Sequence, residues 1–79
     1  MNIEVGLYSS LKRYLPESAQ QPRHVIDVAE GTTVAELLQQ LRVPAGEVML
    51  IFVDGVHADG GTVLQDGNRV GVFPAVGGG

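Results

Sequence analysis

The chain begins with strict alternation. In "NIEVGLY", Ile3, Val5 and Leu7 fall on one side and Asn2, Glu4 and Gly6 on the other, the two-residue period of a half-buried strand. "SSLKRYLP" then spaces Leu11, Tyr14 and Leu15 as on a helix, which predicts a short helical turn closing before Pro16. "PESAQQP" reads as a polar loop between two prolines. "RHVIDV" returns to alternation, with His24, Ile26 and Val28 sharing a face.

The period changes in "GTTVAELLQQLRVP". Val34, Leu37, Leu38 and Leu41 sit at i, i+3, i+4 and i+7, one apolar stripe on a helix. Thr33 and Glu36 have the spacing of a capping box, each able to satisfy a free backbone N–H of the first turn. Pro44 disfavours helix at Val43, so a helix of about ten residues ending near there is predicted. So short a helix is marginal alone and must pack its stripe on the strands. "VMLIFVDGVHAD" supplies a long apolar strand and a tight turn at Asp54-Gly55, and "DGG" and "QDGN" mark two more turns. "RVGVFPAV" gives a last strand, with Val70 and Val72 on one face, Gly71 and Phe73 on the other, and Pro74 where pairing should end. Strand, strand, helix, then two or three strands predicts an α+β fold, with a single helix laid across a mixed sheet.

Composition narrows the chemistry. Seventy-nine residues, 44% hydrophobic and 18% charged, make one small folded domain. With no cysteine there is no disulfide, thiolate nucleophile or Cys-based metal site. The net charge of −4, with no basic run longer than two, argues against a nucleic-acid partner. No apolar run approaches the ~18 residues of a membrane span and no signal peptide is evident, so neither a membrane partner nor export is expected, and the cytoplasm is the expected location. His24 and His57 have no third ligand at metal spacing, so no metal site is expected. Asp54, Asp59 and Asp66 sit in glycine-containing turns and read as turn formers. Ser9 and Ser10 fit no nucleophile elbow, and no Gly-rich loop ends in Lys-Ser/Thr to hold phosphate. An autonomous active site is not predicted. What remains is the ending, "GVFPAVGGG", whose last three residues offer no side chain and only the α-carboxylate of Gly79.

Three stretches together resemble the ubiquitin-like β-grasp sulfur carriers of the ThiS/MoaD family over essentially the whole chain. They are "EGTTVAELLQQL", "DGNRVGVFPAV" and the glycine terminus. The resemblance implies a mixed sheet of four to five strands packed by one main helix, with a β-grasp domain over residues 1–74 and a flexible C-terminal glycine tail over 75–79. It also implies a carrier that is no enzyme by itself and binds no cofactor. An E1-like adenylating enzyme would use ATP to attach AMP to the Gly79 carboxylate, and a sulfur donor would convert it to a thiocarboxylate. That sulfur would pass to a synthase subunit or other biosynthetic enzyme. On the matching positions Gly79 is the acceptor, Gly78 its essential neighbour, and Phe73 and Pro74 stand where molybdopterin synthase small subunits carry "FP". Length and "VFPAV" favour molybdopterin synthesis, and the carrier could then be the synthase small subunit; "VGGG" leaves thiamine synthesis open and "PAV" cysteine synthesis.

The chemistry fits such a tail. A carboxylate resists nucleophilic attack until it becomes an acyl-adenylate, and that must happen inside another protein's pocket. Glycine keeps the last positions slim and permits positive φ, and five residues after Pro74 reach at most roughly 17 Å. Fixing them opposes binding by roughly 5–10 kcal/mol, more than a few backbone hydrogen bonds of ~1 kcal/mol return. The folded body must therefore dock too. Phe73 is the expected centre of an apolar patch including Pro74, Val76 and Gly77, although Phe73 in the core is an equal alternative. Two further readings stay open: a ubiquitin-like modifier conjugated through Gly79, and a non-catalytic β-grasp interaction module.

Overall fold

The structure, a computed structural model, describes residues 1–20 and 22–75. The chain runs β1 (Asn2–Leu7), a 3-10 helix (Ser9–Tyr14), β2 (Arg23–Asp27), α1 (Val34–Gln40), a 3-10 turn (Ala45–Glu47), β3 (Val48–Val53), β4 (Val56–Ala58) and β5 (Arg69–Pro74). The strands form one mixed sheet in the order β2-β1-β5-β3-β4. β1 pairs antiparallel with β2 and parallel with β5, and β3 pairs antiparallel with β5 and β4. This is the ubiquitin-like β-grasp, and it meets the α+β expectation with five strands and one α-helix among the described residues.

Alternation explains the layering. Ile3, Val5 and Leu7 of β1 and Val70 and Val72 of β5 all point under the sheet and are buried. Val34, Leu37 and Leu38 of α1 meet them there, joined by Leu11 and Leu15 from around the first 3-10 helix and by Leu64. The helix starts as its sequence dictates. The Thr33 hydroxyl accepts from the Glu36 N–H (3.2 Å) and the Glu36 carboxylate accepts from the Thr33 N–H (2.9 Å), closing the capping box. The loop before β5 satisfies two more amides of the first turn: Val34 N–H donates to the Thr62 carbonyl and Ala35 N–H to the Gly60 carbonyl.

The helix is shorter than its apolar stripe predicts, seven residues rather than about ten. A Schellman arrangement stops it before Pro44 can act. Arg42 takes φ 62°, its N–H donates to the Gln39 carbonyl, and the Val43 N–H reaches back to the Leu38 carbonyl at 2.9 Å. Leu41 keeps its place on the stripe as the C-cap residue.

The turns follow the sequence closely. Asp54 (φ 50°) and Gly55 (φ 80°) both take left-handed conformations between β3 and β4, as a two-residue hairpin turn requires. The Asp54 carboxylate also accepts from the Arg69 N–H (2.9 Å) and the Asn68 side-chain amide (2.6 Å), tying this hairpin to the start of β5. Asp59 accepts from the Gly61 N–H within its own turn, whereas the Asp66 carboxylate accepts from the Asn2 N–H and ties its turn to the start of β1. Thr33→Ala should remove the cap and cost about 1 kcal/mol. For a domain this small that is a fall in Tm of about 4–8 °C, measurable by calorimetry.

Candidate docking face and tail root

The face of the sheet away from α1 carries a cluster of rings. Leu7 points inward, so the following residue, Tyr8, in extended conformation, turns its ring outward. On β5 the same alternation sends Phe73 outward, and its antiparallel partner on β3 is Leu50. Phe52, two residues along β3, pairs with Gly71, which lies beside Gly6 of β1. The Tyr8 and Phe73 rings stack with centroids 4.7 Å apart and planes 9° from parallel. Phe52 meets Phe73 edge-on at 5.9 Å and His57 of β4 at 5.7 Å. Phe73 is 36% exposed and its β3 partner Leu50 42%, so the structure places Phe73 on this outer face and not in the core.

Gly6 makes the stack fit. The Tyr8 ring folds back over it, and an added Cβ would lie 2.7 Å from the Tyr8 hydroxyl oxygen and 3.0 Å from two ring carbons. Gly6 is thereby buried although it points away from the core. At Gly71 a Cβ would meet the same rings at 3.6–3.8 Å, ordinary contact distance, so only Gly6 is sterically required. A shallow hollow of about 240 Å³ lies between these rings and a polar rim of Glu4, Arg23 and Arg69. Arg69 pairs with Glu4 at 3.3 Å. The Tyr8 hydroxyl as hydrogen-bond partner, with the Glu4 carboxylate nearby, favours the charged form of Arg23 and raises its pKa.

β5 leaves the sheet at the edge of this face. Because β5 runs parallel to β1, its end emerges beside the 3-10 helix that follows β1. Pro74 ends the strand, paired with Val48 across an irregular register between Val48 and Leu50. One residue on, the Ala75 N–H donates to the Glu47 carbonyl at 3.3 Å. The Glu47 carboxylate accepts from the Tyr14 hydroxyl at 2.7 Å and pairs with the Arg13 guanidinium. Arg13 also donates to the Tyr14 hydroxyl oxygen and the Ser10 carbonyl. The hydrogen bond to Glu47, with desolvation, raises the Tyr14 pKa above 10.0 against the opposing pull of Arg13.

Among the sequence-predicted site residues, Phe73 and Pro74 lie together at this exit, while Val76, Gly77, Gly78 and Gly79 fall outside the described residues. Tyr8, Phe52, Leu50, Arg23 and the Glu47 cluster were not singled out from sequence. Tyr8 could have been, since it has the same parity as Glu4 and Gly6 in the alternation of β1. A larger, mainly apolar groove of about 780 Å³ opens between α1 and β3–β4, and no predicted site residue lines it. Among the described residues no cluster of three or more His, Cys, Asp or Glu could hold a metal, and no helix is long and apolar enough to cross a membrane.

Comparison with known proteins gives this geometry a family. The model of the ThiS family matches residues 13–79. The chain belongs to the ThiS family. No curated protein matches it in sequence. Among solved structures, this ThiS-family chain is similar to small archaeal modifier protein 1 from Haloferax volcanii, with 19% identity, all of both chains covered and a TM-score of 0.71. It is similar to the protein of that name from Methanosarcina acetivorans at 21% identity, with 99% of this chain and 96% of that chain covered and a TM-score of 0.67. It also matches a complex of subunits 1 and 2 of molybdopterin-converting factor from Helicobacter pylori at 23% identity, with both chains fully covered and a TM-score of 0.61. These likenesses show the shared fold.

Two outcomes test the site. Gly6→Ala should leave the core folded and unstack Tyr8 from Phe73, seen as loss of the nuclear Overhauser contacts between the two rings. Tyr14 should titrate above 10.0. Because its folded pKa is raised, its contribution to stability is complete below pH 10 and is lost as pH rises through the raised value. Denaturant midpoints followed with pH should show this alkaline loss in the wild type and not in Tyr14→Phe.

Proposed function

We propose that this chain is a sulfur carrier whose Gly79 carboxylate is the reacting group. The observation that carries this reading is the exit of β5 at Pro74, at the rim of an exposed aromatic face and one strand-end away from the run "AVGGG". Membership of the ThiS family supports it. Residues 1–74 act as the folded body and 75–79 as the tail that enters another protein. An E1-like enzyme in the cytoplasm binds the face of Tyr8, Leu50, Phe52 and Phe73 and threads the tail into its own ATP site. The carboxylate attacks the α-phosphorus of ATP, pyrophosphate leaves, and an acyl-adenylate forms. Sulfide from the donor then attacks the acyl carbon, AMP leaves with the bonding pair, and a thiocarboxylate remains. The body supplies no group to these steps. It supplies affinity, which offsets the roughly 5–10 kcal/mol of ordering in a five-residue tail. The sulfur goes to a biosynthetic enzyme, with a molybdopterin synthase large subunit favoured by "VFPAV".

Incubation with the cognate adenylating enzyme, ATP and a sulfur donor, followed by intact-mass analysis, should show one oxygen exchanged for sulfur. Neither adenylate nor sulfur gain would overturn the reading, and conjugates on lysines of other proteins would replace it with a modifier. Phe73→Ala should weaken binding to the activating enzyme by about 2 kcal/mol, the scale of a buried aromatic anchor. Gly79→Ala should fold normally and fail to be activated, whereas activation at the wild-type rate would contradict a narrow channel.

A further inference from the structure

Ala75 is held by a bond that its own strands support weakly. Its N–H reaches the Glu47 carbonyl at 3.3 Å, long for an amide hydrogen bond. The residue before it, Pro74, has no N–H to donate, and the β3–β5 register slips between Val48 and Leu50. The support for Glu47 comes from a different part of the chain. Its carboxylate is gripped by the Tyr14 hydroxyl and the Arg13 guanidinium, and Arg13 is braced in turn on the Ser10 carbonyl at 2.6 Å. Both residues sit on the 3-10 helix Ser9–Tyr14, which is anchored in the core through fully buried Leu11.

We propose that Glu47, Tyr14 and Arg13 are positioning residues, a clamp that fixes where the folded body ends and the presented C-terminal segment begins. The proposal rests on the carrier reading for its purpose. With the clamp closed, Ala75, the first residue of the 75–79 tail, is already held against Glu47, and only the residues after it remain to be ordered. Without it, the root frays back toward Phe73, and each extra residue released must be ordered again on every encounter with the activating enzyme. Ordering a residue costs enough to weaken binding about tenfold. Chemistry at the terminus, once the segment is in place, is untouched. The signature is therefore a change in KM and not in kcat, which general destabilisation would not produce.

Glu47→Ala, Glu47→Gln and Tyr14→Phe test the clamp with two measurements. One is amide hydrogen exchange at Ala75, with the helical Leu37 amide, which donates to the Thr33 carbonyl, as the internal standard. The other is ATP–pyrophosphate exchange by the cognate adenylating enzyme as carrier concentration varies. Glu47→Ala should speed exchange at Ala75 and raise KM, each about tenfold, with Leu37 exchange unchanged and kcat within about twofold of the wild type. Tyr14→Phe, which keeps the Arg13–Glu47 pair and the core, should move both by about threefold to tenfold. Glu47→Gln should recover most of the loss, because its amide oxygen still accepts from Tyr14. Wild-type exchange at Ala75 and wild-type KM in folded Tyr14→Phe and Glu47→Ala would overturn the proposal. If the wild-type chain is not adenylated at all, the carrier reading falls, while Ala75 exchange still decides whether the clamp exists.

Discussion

The parallel pairing of β1 with β5 is the constraint on which the molecule depends. It brings the two ends of the sequence to the centre of one sheet, with Glu4 beside Arg69, Val5 beside Val70, Gly6 beside Gly71 and Leu7 beside Val72. Parallel neighbours need a crossover, and the 3-10 helix, β2, α1 and β3–β4 all lie within it. The two strands are fully buried on the helix side, where Val5, Leu7, Val70 and Val72 form the floor of the core. On the other side they set Gly6 next to Gly71, and Gly6 leaves the room for Tyr8 to lie flat on Phe73. The same pairing decides where the chain leaves the body: β5 ends beside the segment following β1, within reach of Arg13 and Tyr14.

Much of this was legible from residue order. Alternation in "NIEVGLY" and "RVGVFPAV" assigns the inward residues correctly, and Thr33 with Glu36 marks the helix start to the residue. These are local signals, and the local physics was not overruled. The helix stops earlier than Pro44 predicts, because the real terminator is Arg42 in a left-handed conformation that its side chain does not advertise. The face was only partly legible. Phe73 can be placed by parity, but its neighbours Tyr8, just after β1, and Phe52, on β3, are remote in sequence, and register between strands is a tertiary fact. Glu47 carries no signal at all. It is an acidic residue in a loop until the 3-10 helix Ser9–Tyr14 arrives beside it.

The functional picture follows from a division of labour between body and terminus. The described residues contain polar groups committed to turns, caps and ion pairs, and no buried side-chain polar atom is left unpartnered. Such a body is chemically quiet. Its exposed rings, its two rim arginines and the point at which β5 stops are the features that the proposed function assigns to recognition. On the proposed carrier reading, specificity would lie in this surface and reactivity in Gly79, and the proposed clamp at Glu47 would join the two.

The sheet separates its two faces completely at the level of side chains. Val70 and Val72 answer to the packing below, while Gly71 and Phe73 answer to whatever lies above, and the two sets interleave residue by residue along one strand. Recognition can therefore drift between lineages, or be transplanted by an engineer, by rewriting alternate letters of three strands while the hidden letters stay as they are. The outer letters can thus be exchanged as a set, and the packing beneath them gives no reason for the frame to change.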